Sequence, residues 1–165
     1  MKDLKIKVEK FNSAVARIDK KRKLWQDETK PLLVKVLGEI TDGVSLELLV
    51  QVVDSKVNHE SVNIQFKSKP SGISEKTEKL VKAYIKWGGV LAFSQAYNGE
   101  IHIVIFYPYV DEIVIQHKHT LLIRIEPDKI SEEFIYARVN DFLTEMLNWE
   151  IVTSGNSFGA ILSEA

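Results

Sequence analysis

Apolar side chains recur at helical spacing along the first 25 residues of the chain. The stripe consists of Leu4, Val8, Phe11, Val15, Ile18 and Trp25, at intervals of three, four and seven positions. Such a stripe marks one face of an α-helix and is close to the heptad pattern of a coiled coil. Arg22 stands at a stripe position where an apolar residue is expected. The pattern therefore predicts a long N-terminal helix with an imperfect seam.

Pro31 interrupts this helical pattern. Proline is poorly tolerated inside a helix but is common in the first turn of one. The sequence therefore predicts a break near residues 29–31 and a second helix through residues 32–40, ended by Thr41-Asp42-Gly43. A single, unbroken but kinked helix is the alternative.

Alternating apolar and polar residues indicate strands in the middle of the chain. Residues 44–53 and 62–67 alternate in this way. Asn98-Gly99 lies between two further alternating runs, and this dipeptide favours a hairpin with a type I′ turn. The pattern over residues 113–125 predicts one of two arrangements. Residues 113–116 and 121–125 form a hairpin around residues 117–120, or the whole segment is one long strand.

Residues 74–87 fit two patterns. Ser74 suits the N-cap of a helix. The residues that would share a helical face are Leu80, Val81, Tyr84 and Trp87. The residues that alternate as in a strand are Val81, Ala83, Ile85 and Trp87. We expect a helix here, ended by Gly88-Gly89, with a strand as the alternative.

A second long helix is predicted near the C-terminus, over residues 131–150. Ser131 is a good N-cap, and Glu132 and Glu133 lie near the positive end of the helix dipole. The apolar stripe of this helix consists of Ile135, Val139, Phe142, Met146 and Trp149. A helix of this kind can cover the apolar face of the sheet that precedes it.

The order of these elements predicts an α+β fold. We expect an antiparallel sheet of about five or six strands, with helices packed mainly on one face and long helices at the N- and C-terminal ends. Residues 1–152 are expected to form a single α+β domain, and residues 153–165 a C-terminal tail. A chain of 165 residues is long enough for one sizeable core.

The net charge of −1 hides two blocks of opposite sign. Residues 1–23 carry nine basic and three acidic side chains, a net charge of +6, whereas residues 126–150 carry two basic and seven acidic ones, a net charge of −5. The two blocks are expected to attract each other, either within one protomer or across a dimer.

Composition excludes several classes of site. The chain has no cysteine, so disulfides and thiolate metal sites are excluded, and no apolar run is long enough to cross a membrane. The charged N-terminal residues lack a signal-peptide core, so we expect a cytoplasmic protein without a membrane partner. A nucleic-acid partner is not expected, because the basic run at residues 20–23 has only Trp25 as an aromatic neighbour and no nucleic-acid-binding motif accompanies it.

Histidines provide the sharpest candidate for chemistry. His117 and His119 are two positions apart, which on a strand places both side chains on one face, about 7 Å apart. His102 could supply a third ligand to a metal. Two histidines alone are a weak signal, so we expect no metal and no cofactor. A small-molecule-binding protein or metal-dependent enzyme using these three histidines is kept as the alternative function.

The expected function is protein–protein interaction rather than catalysis. The chain contains no phosphate-binding glycine loop, no nucleophile elbow and no HExxH motif. We therefore expect an assembly or adaptor protein that associates with itself or with another protein. The interface is predicted at Phe11, Val15, Ile18 and Trp25. A binding surface is predicted at His102, Phe106, Tyr107, Tyr109 and Arg124.

Overall fold

The protein has an α+β fold, as predicted. The structure, a computed structural model, describes residues 1–113 and 119–155, with side chains as far as Ile151. The helical segments are α1 (Lys2–Leu24), a π-helical turn (Trp25–Thr29), α2 (Lys30–Gly43), a short 3-10 helix (Pro127–Lys129) and α3 (Glu132–Gly155). The strands are β1 (Leu48–Val53), β2 (Ser61–Phe66), β3 (Lys69–Lys76), β4 (Val81–Trp87), β5 (Val90–Gln95), β6 (Ile101–Phe106), β7 (Tyr109–Val110) and β8 (His119–Ile125).

The predicted break at residues 29–31 is wrong, because the N-terminal helix is continuous from Lys2 to Gly43. A π turn joins its two halves, and the Lys30 N–H donates to the Trp25 carbonyl five positions earlier. In a regular α-helix the Pro31 ring would clash with the carbonyl of Asp27. The wider π turn, placed immediately before Pro31, gives the ring room without ending the helix.

The π turn also separates the part of the helix without buried residues from the part that packs on the core. Before the turn, α1 has no buried residue. After it, α2 buries Leu33, Val36, Leu37 and Ile40 against the sheet. A straight heptad continuation from Trp25 would pass through residues 29, 32, 36 and 39, of which Thr29 and Val36 are buried but Leu32 and Glu39 are not. The extra residue of the π turn shifts the apolar stripe by one position, so that α2 presents its own apolar face to the core.

Five strands form an antiparallel sheet in the order β1-β2-β5-β6-β8. This agrees with the predicted sheet of about five or six strands. One face of this sheet packs against α2 and α3. The buried cluster includes Ile64, Phe93 and Ile103 from the sheet and Phe142 from α3. Along β6 the buried isoleucines alternate with His102, Val104 and Phe106, which are half-buried or exposed and lie on the opposite face of the sheet.

Three strands of this sheet continue into a second, three-stranded sheet of order β3-β4-β7. The chain bends at residues 67–68, 88–89 and 107–108. These bends join β2 to β3, β4 to β5, and β6 to β7. Gly88 and Gly89 allow this bend. A Cβ on Gly88 would lie 2.4 Å from the Phe66 carbonyl oxygen, and one on Gly89 would lie 2.1 Å from the Met146 sulfur.

The predicted helix at residues 74–87 is wrong, and the strand alternative is correct. Residues 69–76 and 81–87 form an antiparallel pair, with Lys76 opposite Val81. The turn between them is closed by Thr77, whose N–H donates to the Leu80 carbonyl at 2.9 Å. Residues 81–87 form a strand because residues 69–76, which lie just before them in the sequence, pair with them across the sheet.

The hairpin predicted at Asn98-Gly99 is confirmed, but its turn is not type I′. Of these two residues only Gly99 has a positive φ, of 81°. The Gly99 N–H donates to the Ala96 carbonyl, and the Ala96 N–H donates to the Glu100 carbonyl. This is a three-residue loop in which a type I turn is followed by a left-handed glycine. For residues 113–125, β8 begins at His119, and residues 114–118 lie outside the described part of the chain.

The start of the last helix is confirmed. The Ser131 hydroxyl oxygen accepts the Phe134 N–H at 3.2 Å, which is the N-cap geometry that the sequence predicts. The stripe is buried at Ile135, Val139, Phe142 and Met146. The helix continues to Gly155.

Candidate functional site

The N-terminal part of α1 projects from the protein body. Every residue from Met1 to Ser13 is exposed. The four apolar stripe residues of this part are Leu4 (60% exposed), Val8 (50%), Phe11 (68%) and Val15 (42%). We call these four residues the free seam. Large apolar side chains in a continuous exposed row are typical of a surface that binds another protein.

The C-terminal part of the same stripe contacts its own protomer. Ile18 is half-buried beside the β5–β6 hairpin. If Gly99 of this hairpin carried a Cβ atom, that atom would lie 3.4 Å from the Ile18 carbonyl oxygen. The Arg22 guanidinium donates to the Tyr97 carbonyl at 2.8 Å and lies 5.3 Å from the centre of the Tyr97 ring. This contact accounts for the one charged residue in the stripe, because it faces a backbone carbonyl and an aromatic ring.

Trp25 lies in the core. Its side chain is fully buried, so it is not accessible to a partner, although the sequence grouped it with the interface. The predicted interface residues are therefore divided. Phe11 and Val15 are exposed, Ile18 is half-buried at the base of the projecting helix, and Trp25 is covered.

A buried carboxylate fastens this base to the sheet. Glu60 is only 6% exposed. Its Oε2 accepts a hydrogen bond from the Trp25 indole N–H at 2.9 Å and another from the Lys30 ammonium at 3.0 Å. Burial opposes ionisation of the Glu60 carboxyl group, but the hydrogen bonds that it accepts outweigh burial and hold its pKa below the ordinary value.

Two further contacts hold the base of α1. The Thr29 hydroxyl donates to the Pro127 carbonyl at 3.3 Å. The Lys21 ammonium pairs with Glu126 at 2.9 Å, so one contact between the basic and acidic blocks is made within the protomer. These contacts fix the direction in which the free seam leaves the body.

The face of the five-stranded sheet opposite to α2 and α3 carries four of the polar and aromatic candidates. His102 is opposite Arg124, and Phe106 is opposite His119, with 5.8 Å between the Phe106 and His119 ring centres. Four positions of β6 separate the two histidines, a distance of about 13 Å along the strand. Among the described residues no group of three or more His, Asp or Glu side chains could hold a metal ion, and His117 lies outside them.

The two candidate tyrosines lie elsewhere. The Tyr107 hydroxyl donates to Glu145 of α3 at 2.9 Å, on the helix side of the sheet, and burial raises the pKa of this hydroxyl. Tyr109 stacks on Trp87 in the three-stranded sheet, with 6.3 Å between ring centres. The five residues predicted as one binding surface therefore occupy three separate places.

Sequence reasoning missed Glu60 and the π turn. Glu60 lies in a polar link between two strands, and its partner Trp25 is 35 positions away, so no local pattern indicates that the carboxylate is buried. The π turn has one sequence signal, which is that the apolar stripe changes phase between Trp25 and Leu33.

Comparison with family models, curated proteins and solved structures finds no match to this chain. In the part of the chain that the structure describes, no helix combines the length and the apolar character needed to span a membrane.

Proposed function

We propose that the protein is a non-enzymatic assembly protein that pairs with a second copy of itself through the free seam. The observation that carries this proposal is the exposure of four consecutive heptad positions on a helix whose base is fixed to the core. In a coiled coil each of these side chains would insert between residues of a facing helix. The lack of cysteine fits a reducing compartment such as the cytoplasm.

The projecting helix gains little stability from its own protomer. From Met1 to Ser13 it has no buried side chain, and isolated helices shorter than about 12–15 residues are marginal in water. A partner helix would supply the missing burial, worth roughly 1.5–3 kcal/mol for each large apolar side chain that becomes fully covered. Pairing therefore stabilises the helix as well as the dimer.

The base of α1 favours an antiparallel partner. The stripe from Ile18 onward faces the β5–β6 hairpin of the same protomer. A parallel partner helix that followed the seam would meet this hairpin. An antiparallel helix ends there instead, and the two protein bodies then lie at opposite ends of the helix pair.

The requirement that all four residues of the free seam are paired defines one register for this antiparallel pair. Val8 faces the partner's Phe11, and Leu4 faces the partner's Val15. The flanking Lys5 and Lys7 then face Asn12 and Ala14 of the partner subunit, so these lysines do not meet like charges. The register therefore avoids contacts between like charges at Lys5 and Lys7.

Sedimentation equilibrium tests the proposal. We expect the wild-type protein to form dimers at micromolar concentration, and Phe11→Asp to shift it to monomers by at least tenfold in Kd, because an unpaired charge would be buried in the seam. Ser13→Asp is the matched control, since this exposed residue lies on the side of α1 away from the free seam. It should leave the dimer intact.

Two results would remove the proposal. One is a wild-type protein that remains monomeric at several hundred micromolar. The other is an equal loss of dimer in both variants, which would show an effect of added negative charge rather than of the seam. At protein concentrations below the dimer Kd, thermal unfolding of the protein body should be unchanged in both variants, because neither residue contacts the core.

A further inference from the structure

A groove lies where the five-stranded sheet bends into the three-stranded one. It has a volume of about 510 Å³, within the range of small-molecule sites, about 300–1,000 Å³. Its apolar lining comes from the loop before β1, from the bend, and from the C-terminal half of α3. The apolar side chains are Leu46, Phe66, Pro108, Leu143, Met146 and Leu147.

The apolar lining is accessible to water. Leu46 is 47% exposed and Leu147 is 60% exposed, although both line a concave surface. Phe66, which packs on the Phe142 ring at 5.8 Å between ring centres, lines the groove together with Gly88 and Gly89. An apolar chain in this groove would remove a contiguous apolar surface from water.

Lysines surround one end of the groove. Lys67, Lys69 and Lys86 line it, together with Glu47 and Glu150. Lys69 and Lys86 are direct cross-strand partners, so their ammonium groups share one face of the sheet. Like charges placed directly opposite each other destabilise a strand pair.

The existing anionic contacts leave this positive charge incompletely balanced. The Lys86 ammonium contacts Glu150 and lies 4.8 Å from the centre of the Trp149 ring. Burial lowers the pKa of Lys86, and the neighbouring Lys69 lowers it further. In the described part of the chain neither Lys67 nor Lys69 forms an ion pair.

We propose that this groove binds an anionic amphiphile of the long-chain carboxylate class, with its apolar chain on Phe66 and Leu147 and its carboxylate beside Lys69. The apolar lining accounts for the chain, and the opposed lysines account for the anionic group. The projecting helix of a second copy is a poor occupant, because residues 1–23 carry a net charge of +6. The site is separate from the free seam and stands without it.

Binding of dodecanoate below its micellar concentration, measured by isothermal titration calorimetry on the full chain, tests this site. Dodecanol and dodecyltrimethylammonium are the matched neutral and cationic probes. We expect dodecanoate to bind at least about tenfold more tightly than either, as a charge-assisted hydrogen bond predicts. Lys69→Gln should abolish this preference, whereas Lys79→Gln, in the exposed β3–β4 turn, should preserve it.

The apolar half of the site is tested by Leu147→Asp. Leu147 is largely exposed, so this substitution leaves the core intact, and it should weaken binding of all three probes by at least tenfold. Equal affinity for dodecanoate and dodecanol would overturn the proposal, and so would no binding of any probe. Unchanged binding in both Lys69→Gln and Leu147→Asp would place the ligand elsewhere and overturn it as well.

Discussion

The hydrogen-bonded carboxylate of Glu60 joins the N-terminal helix to the sheet. Its side chain accepts from Trp25 and Lys30, and its backbone carbonyl accepts the Gln95 N–H at 2.8 Å. One residue thus links the π turn, the start of α2 and strand β5. A buried charge of this kind contributes to stability only while its partners remain in place.

Glu60→Gln is expected to lower the free energy of unfolding by about 1.5–3 kcal/mol at pH 7, as for hydrogen bonds to charged groups. Because the folded-state pKa of Glu60 is lowered, its stabilisation is present above the ordinary unfolded value of about 4.3 and is lost as the pH falls through the folded-state pKa. The difference between variant and wild type should therefore shrink at acidic pH.

Urea unfolding at pH 7 and at pH 3 measures this difference. Glu28→Gln is the matched control, because Glu28 lies in the same π turn but is exposed. A variant as stable as the wild type at pH 7, or a difference that grows on acidification, would contradict the role given to Glu60.

Residues whose partners are close in sequence could be predicted at this scale. Ser131 needs only the N–H of Phe134, three positions away, so its capping role follows from local chemistry. Gly99 likewise forms a turn with its immediate neighbours, although the turn type depended on the φ of Asn98, which the dipeptide alone does not fix. Glu60 could not be predicted, because its burial depends on residues 30 and 35 positions away.

At the scale of elements, the two errors have one cause. The predicted helix at residues 74–87 rests on a local signal, a helix cap. The predicted break at residues 29–31 rests on another local signal, a proline. Tertiary contacts outweighed these signals. Strand β4 is paired on both sides, with β3 and β7, and the helix across Pro31 is held by the packing of Trp25 and Leu33.

Two glycines give predictions of opposite sign, Gly88 in the bend between the two sheets and Gly38 in α2. Gly88→Ala should lower the free energy of unfolding by about 1–3 kcal/mol, because the added Cβ meets the Phe66 carbonyl oxygen, which is backbone and cannot rotate away. Gly38→Ala should raise it by about 0.5–1 kcal/mol, because a helical glycine with open space around it gains from alanine.

Thermal and urea unfolding of both variants test this prediction. A Gly88→Ala variant with wild-type stability would show that the bend does not need the close approach of the Phe66 carbonyl. A destabilised Gly38→Ala variant would show that α2 is under a constraint that its surroundings do not explain.

At the scale of the whole molecule, the body and the projecting helix have different roles. The sheet, α2 and α3 bury one another's apolar faces in a single core, which the sequence indicated through the stripes of its helices. The free seam has no counterpart within the described part of the chain. The heptad spacing of the free seam could be predicted from the sequence, but its exposure could not. Periodicity identifies an apolar helix face, and it does not indicate whether that face packs on the core of the same protomer or on another protein.

The antiparallel pairing of the free seam is the central claim, and disulfide cross-linking tests it most directly. The chain has no cysteine, so Leu4→Cys and Val15→Cys each introduce a single thiol. In the proposed register these two positions face each other across the dimer, whereas two copies of Leu4 lie about 16 Å apart along the helix axis, beyond the reach of a disulfide. On oxidation, the mixed variants should form the adduct between positions 4 and 15, and each variant alone should remain uncross-linked. Adducts between identical positions, or no adduct beyond that of a Ser13→Cys control, would contradict the claim.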